Sequence, residues 1–236
     1  MATTGEGAMR PEVFWQRMAI GLALFIVFGF LQFALRGFVD PVAAPFWVHL
    51  HGVLMLAWLG LLIVQPTLVS QGNFARHRQF GRIGGLLALF ITCLGIFTGV
   101  ASLMLNRFPP FFSPPYFLAL TVTESLVFGV MVAWAIRRRR ATDWHRRLMI
   151  GATIIILEPA LGRLLPIPLM GPWAEPAVAL CQLVVVAIIA SYDQRSRGAV
   201  HPATWAVAAI VIATRVAISL LSMAPPVIAL ATRLAN

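Results

Sequence analysis

FWVHLHGVLMLAWLGLLIVQPTLVSQGNFARHRQFGRIGGLLALFITCLGIFTGVASLMLN, residues 46–106, holds two apolar runs, 46–69 and 83–106, joined by a short segment that carries Arg76, Arg78 and Arg82. A bilayer core requires about 20 consecutive apolar residues per helix. A water-soluble core has no use for runs so long and so free of charge. Two such runs with a basic turn between them read as a transmembrane hairpin.

The same pattern extends to both ends of the chain. Hydropathy, interrupted at Pro, Gly and Arg clusters, gives spans near residues 18–36, 46–69, 83–106, 116–136, 147–165, 174–192 and 203–223. The expected fold is an all-α integral membrane bundle of about seven helices. It forms a single transmembrane domain over residues 1–236, with no separate soluble unit. The stretch from Ala19 to Leu35 is long for a signal-peptide core and lacks a small-residue cleavage site close behind it, so it reads as a retained helix. Alternate loops are basic: Arg10 and Arg17, then Arg76, Arg78 and Arg82, then Arg137 to Arg140 with Arg146 and Arg147, then Arg195 and Arg197. The intervening loops are rich in proline, with Pro109, Pro110, Pro114 and Pro115 in one and Pro166, Pro168 and Pro172 in another. The positive-inside rule then predicts a multi-pass protein of a bacterial inner membrane, N-terminus cytoplasmic and C-terminus periplasmic.

Composition removes whole classes of function. All 18 Lys+Arg residues are Arg, so chemistry that needs a lysine amine, such as a retinal or pyridoxal Schiff base, is excluded. The net charge of +10 resides in loop arginines whose task is orientation and contact with anionic lipids at the cytoplasmic face, and no nucleic-acid partner is expected. Cys93 and Cys181 fall inside apolar runs, where a thiol behaves as a small hydrophobe. A weak repeat is visible after the first helix: His77, His145 and His201 each stand just before the outgoing helix of a hairpin.

Residues 46–85, with His77, Arg78, Gly81 and Arg82, resemble a bacterial family of membrane proteins that carries an HRxxGR signature and has no assigned function. DWHRRLMIGATIIILEPALGR, residues 143–163, looks like a second block of that family. More remotely, His51-Gly52 with Met55 and Trp58 is similar to a helix start in the transmembrane b-type cytochromes that shuttle electrons from ascorbate. That resemblance implies heme held by histidines on facing helices. The chain departs from the pattern of paired histidines that two hemes would need.

The histidines therefore have two readings each. His49 and His51 are two apart on one helix, about 200° around its axis, and cannot clamp one ion. His51 is a candidate heme ligand with Met104 as its sulfur partner, or else an interfacial histidine beside Phe46 and Trp47. His77 and His145 begin outgoing helices at the cytoplasmic side with arginines around them that suit heme propionates, or they share in setting topology. Glu124, Glu158 and Arg215 come out at one depth, roughly 16 to 18 Å from the cytoplasmic edge at 1.5 Å of rise per residue, with Arg163 and His51 a little further out. Charges in hydrocarbon must pair or be hydrated, so these residues are expected to converge as a polar cluster, either a static ion-pair network or a ligand, quinone, ion or proton site. Pro159 is expected to kink the fifth helix beside Glu158.

The leading functional expectation is a redox protein that binds one b-type heme or a quinone. Its rivals are a carrier for a small hydrophobic or ionic ligand and a non-catalytic accessory or assembly subunit with partner subunits in a larger membrane complex. A metal-dependent hydrolase using His49, His51, Glu124 and Glu158 is weakened by the opposed histidines. No catalytic residue and no metal site is assigned from the sequence.

Overall fold

Residues 10–236 are described by a computed structural model. Among them the chain forms α1 (Pro11–Leu35), α2 (Phe46–Ser70), α3 (Phe74–Met104), α4 (Pro114–Arg137), α5 (Thr142–Ile155), α6 (Glu158–Leu164), α7 (Ile167–Met170), α8 (Ala174–Arg197), α9 (Pro202–Ser222) and α10 (Pro225–Ala235). Six helical segments are long and apolar enough to cross a membrane, and the chain is an all-α polytopic membrane protein. The fifth expected crossing is broken into α5 and α6.

Contacts at the helix ends show which of them share a face. Tyr116 at the start of α4 bonds Glu175 at the start of α8. Asp143, in the first turn of α5 a short loop beyond the end of α4, pairs with Arg197 at the end of α8 (2.8 Å). Helices α4 and α8 are therefore parallel, and α5 with α6 must traverse the bundle between them. Gln16 of α1 donates to Thr67 of α2 (3.0 Å) on the face that carries the basic loops, and Arg107 donates to the Ala43 carbonyl (2.7 Å) on the face that carries the proline-rich ones.

Local chemistry sets the ends. Asn73 accepts from the Arg76 N–H (3.3 Å) and caps α3, so that helix starts nine residues before the apolar run that revealed it. Hydropathy misses those nine residues because basic side chains suit a helix that projects toward the headgroups. Gly72 and Gly198 close the turns after α2 and α8 at φ of 71° and 77°, a region that favours glycine. The packing of α3 on α4 depends on small residues. A Cβ at Gly95 would lie 2.7 Å from Ser125 Oγ, one at Gly129 2.6 Å from Thr92 Oγ1, and one at Gly99 would strike Thr121.

The break between α5 and α6 follows from Pro159, which lacks an N–H and crowds the carbonyl one turn back. Gln182 of α8, fully buried, donates through Nε2 to the carbonyls of Ile154 (2.9 Å) and Ile155 (3.0 Å). One amide from a neighbouring helix thus serves the backbone that the proline leaves open. The break sets Glu158 at the first position of a new helix, facing the bundle interior.

Candidate functional site

Two polar regions lie inside the bundle, one in each half. The first is a cavity of about 1080 Å³ on the basic side, walled by α1 to α5. Its floor is apolar: Trp58, Leu61, Leu62, Val132, Met149 and Ile150 line it. Trp58 is buried there, packs edge-on against Phe128 at 5.0 Å, and donates its indole N–H to Thr153 (3.3 Å). His77 and His145 enter from the rim. Each is the fourth residue of its helix, one turn beyond the cap, with its N–H on the carbonyl of Asn73 and Ala141 respectively (3.0 Å each). The equivalent placement brings the two rings together, with centroids 6.5 Å apart and planes crossed at 89°.

Both rings are held from behind. His145 Nδ1 lies 2.8 Å from the Ala135 carbonyl, so Nδ1 carries the proton and Nε2 keeps its lone pair. The side-chain amide of Gln65 reaches within 2.5 Å of His77 Nδ1. The direction of that bond follows the tautomer: an Nδ1–H donates to the amide oxygen, and a bare Nδ1 accepts from the amide nitrogen while the oxygen accepts from the Gly81 N–H (2.9 Å). Neither Nε2 has a hydrogen-bond partner among the described residues.

The motif around His77 now has a spatial meaning. His77 and Gly81 are one turn apart on the cavity wall, and so are Arg78 and Arg82. A Cβ at Gly81 would meet only the Gln65 amide nitrogen, at 3.8 Å, so glycine keeps this wall thin beside the histidine. Gly84 and Gly85 serve packing instead, against Leu61 and Ile136. Arg78, Arg82, Arg139 and Arg140 line the rim without a carboxylate partner among the described residues, whereas Arg146 pairs with Asp143 and lies over Trp15 at 5.1 Å.

The second region lies toward the proline-rich face. Arg215 of α9 is paired with Glu124 of α4, and its Nη1 stands 3.6 Å from Glu175 of α8. Glu158 of α6 is buried within electrostatic reach of Arg215, Glu175 and Arg163, but makes no direct ion pair. Arg163 turns away: it donates to the Pro159 carbonyl (2.5 Å) and lies over Phe30 at 4.0 Å. Glu175 and Tyr116 were not singled out from the sequence, because both fall at span edges where a polar residue reads as interfacial.

His51 stands apart from both regions. Its helix turns His49 outward and His51 inward beside Gly95, where a Cβ would meet the His51 ring at 3.6 Å. Met104, its candidate sulfur partner, is 59 % exposed on the outside of the bundle. No second ligand for His51 is supplied from that direction. His201, third in the weak repeat, is a cap: its Nδ1 accepts from the Ala203 N–H (3.0 Å). Burial, with Arg147 and Arg197 nearby, holds its imidazole below the usual histidine range, which suits a neutral acceptor.

At the basic end, Asp193 of α8 and Arg147 of α5 form an ion pair with no solvent exposure on either side chain. Asp193 Oδ2 also accepts from Thr204 Oγ1 (2.6 Å) and the His201 N–H (3.1 Å), and Arg147 Nη1 donates to the Asp143 carbonyl (2.8 Å). The network joins α5, α8 and α9.

Comparison of the chain with protein-family models, curated proteins and solved structures finds no match.

Proposed function

We propose that this protein is an inner-membrane redox protein that holds one b-type heme between His77 and His145, with the basic face in the cytoplasm by the positive-inside rule. One observation carries the reading: two imidazoles with unengaged Nε2 atoms face a large apolar cavity with ring centroids 6.5 Å apart. A metal–nitrogen bond of about 2 Å on each side sets the ring centres of two axial imidazoles roughly 6 Å apart.

The surroundings fit the group. The cavity volume of about 1080 Å³ is just above the usual range for small-molecule sites, roughly 300–1,000 Å³, and leaves room for a large planar group. Arg78, Arg82, Arg139 and Arg140 suit two propionates, each able to give paired charge-assisted hydrogen bonds. The Ala135 carbonyl and Gln65 hold the rings through Nδ1, as outer partners of metal-bound histidines do. Trp58, Leu62 and Met149 exclude water from the floor, a lever on reduction potential. When bound, heme supplies reversible one-electron chemistry. A quinone or carried ligand would use the apolar walls but gives no reason for two imidazoles held at axial separation. An accessory subunit needs neither.

The visible spectrum of detergent-purified protein tests this. A Soret band with a sharp reduced α band, and about one heme per chain by pyridine haemochrome, is expected. A colourless protein from heme-replete cells would remove the proposal.

A further inference from the structure

The cluster beside Arg215 has no part in holding heme, and its charges do not balance. The chain has 8 Asp+Glu residues, and three of them, Glu124, Glu158 and Glu175, meet here on three helices. Two guanidiniums lie within charge range of them: Arg215, paired directly, and Arg163, whose hydrogen bond goes to the Pro159 carbonyl but whose charge reaches Glu158. With every group ionised the site would hold one uncompensated negative charge inside hydrocarbon. A lone buried charge costs several kcal/mol, and a carboxyl relieves that cost by binding a proton.

A second observation points to a ligand. Arg215 is 5 % exposed, yet its Nε and Nη1 have no hydrogen-bond partner. Nη1 stands 3.6 Å from Glu175 Oε1, an ion-pair contact too long for a hydrogen bond, so its N–H groups are left free to donate to a water beside the pair. The cluster also has an outlet. The Tyr116 hydroxyl donates to Glu175, whose side chain is 19 % exposed at the proline-rich face, while Glu124 and Glu158 are buried behind it.

We propose that this cluster is a proton-binding site that opens to the proline-rich face. At neutral pH its three carboxyls hold one proton, seated chiefly on Glu158 beside a water at Arg215. Glu175 and Tyr116 pass it to and from that face, each transfer moving one proton between a carboxyl and water. The site does not depend on heme, so its test reads the same in a colourless protein.

Infrared spectroscopy of the intact protein in lipid is the test. At neutral pH wild type should show a protonated-carboxyl C=O band that shifts in D2O and disappears as the pH is raised. Glu158→Gln removes the carboxyl on which the proton is seated, so the band should be lost. Glu175→Gln, at the half-buried mouth, removes the same charge and should lose it too. No band in wild type at neutral pH, a band that does not shift in D2O, or one that persists in either variant would overturn the proposal. The wild-type pH and D2O series decides the question even if a variant does not fold.

Discussion

His77→Ala and His145→Ala are each expected to abolish the proposed heme spectrum of the purified protein, whereas His49→Ala and His51→Ala should leave it intact. Loss of one axial nitrogen leaves the opposite imidazole facing an open cavity and forfeits the six-coordinate geometry that the 6.5 Å separation allows. Occupancy should fall by at least an order of magnitude, in keeping with the roughly 10–100-fold losses seen for disturbed outer partners alone. His49 is exposed and His51 points to Gly95, away from the cavity, so neither loss touches the ligand set. Gly81→Phe keeps both histidines but fills the thin wall beside His77, and it should also exclude the heme. Heme retained in the His77→Ala, His145→Ala double variant would transfer the site elsewhere.

Asp193→Ala destabilises the protein more than any loop carboxylate does, by about 3–5 kcal/mol. The substitution strands the Arg147 guanidinium at no exposure and removes the acceptor of Thr204 and of the His201 N–H in one step. Asp40→Ala is the comparison. That side chain is exposed and accepts only from the N–H groups of Val42 (2.9 Å) and Ala43 (3.3 Å) in its own turn, a local cap worth about 1 kcal/mol. Thermal unfolding in one detergent separates the two variants. Equal shifts would mean that the Arg147–Asp193 pair does not hold α5, α8 and α9 together.

The spans were legible because a bilayer imposes both length and apolarity, and the break at Pro159 because proline removes a donor wherever it stands in a helix. The start of α3 at Phe74 was not, since Arg76, Arg78 and Arg82 lower hydropathy without lowering helix propensity. The C-terminal helix α10 is too short to register as a span, yet Ala231 packs fully buried in a cluster with Leu103 and Leu118. Depth counting predicted that Arg215 and Glu124 lie level, and the structure pairs them; it has no means of recruiting Glu175, whose approach depends on the direction in which α8 enters the bundle. Arg163 shows the limit of depth as a guide. Counting placed it only a little further out than the cluster, but an aromatic face on α1 and a carbonyl on its own helix hold its guanidinium. The pairing of His77 with His145 was suggested by their matching positions after basic turns, while the ring separation and the Gln65 and Ala135 contacts behind the rings are facts of three-dimensional packing.

The crossed rings offer the most direct test of a heme held between His77 and His145. Axial imidazoles with planes near perpendicular, here 89°, give ferric heme a highly anisotropic low-spin electron paramagnetic resonance signal dominated by a single large g value. Near-parallel planes give the ordinary three-line rhombic low-spin spectrum, and a single histidine ligand gives a high-spin signal. Oxidised wild-type protein should show the highly anisotropic low-spin signal, and it should vanish in His77→Ala and in His145→Ala. A high-spin spectrum in wild type, or a low-spin signal unchanged by both substitutions, would contradict the account.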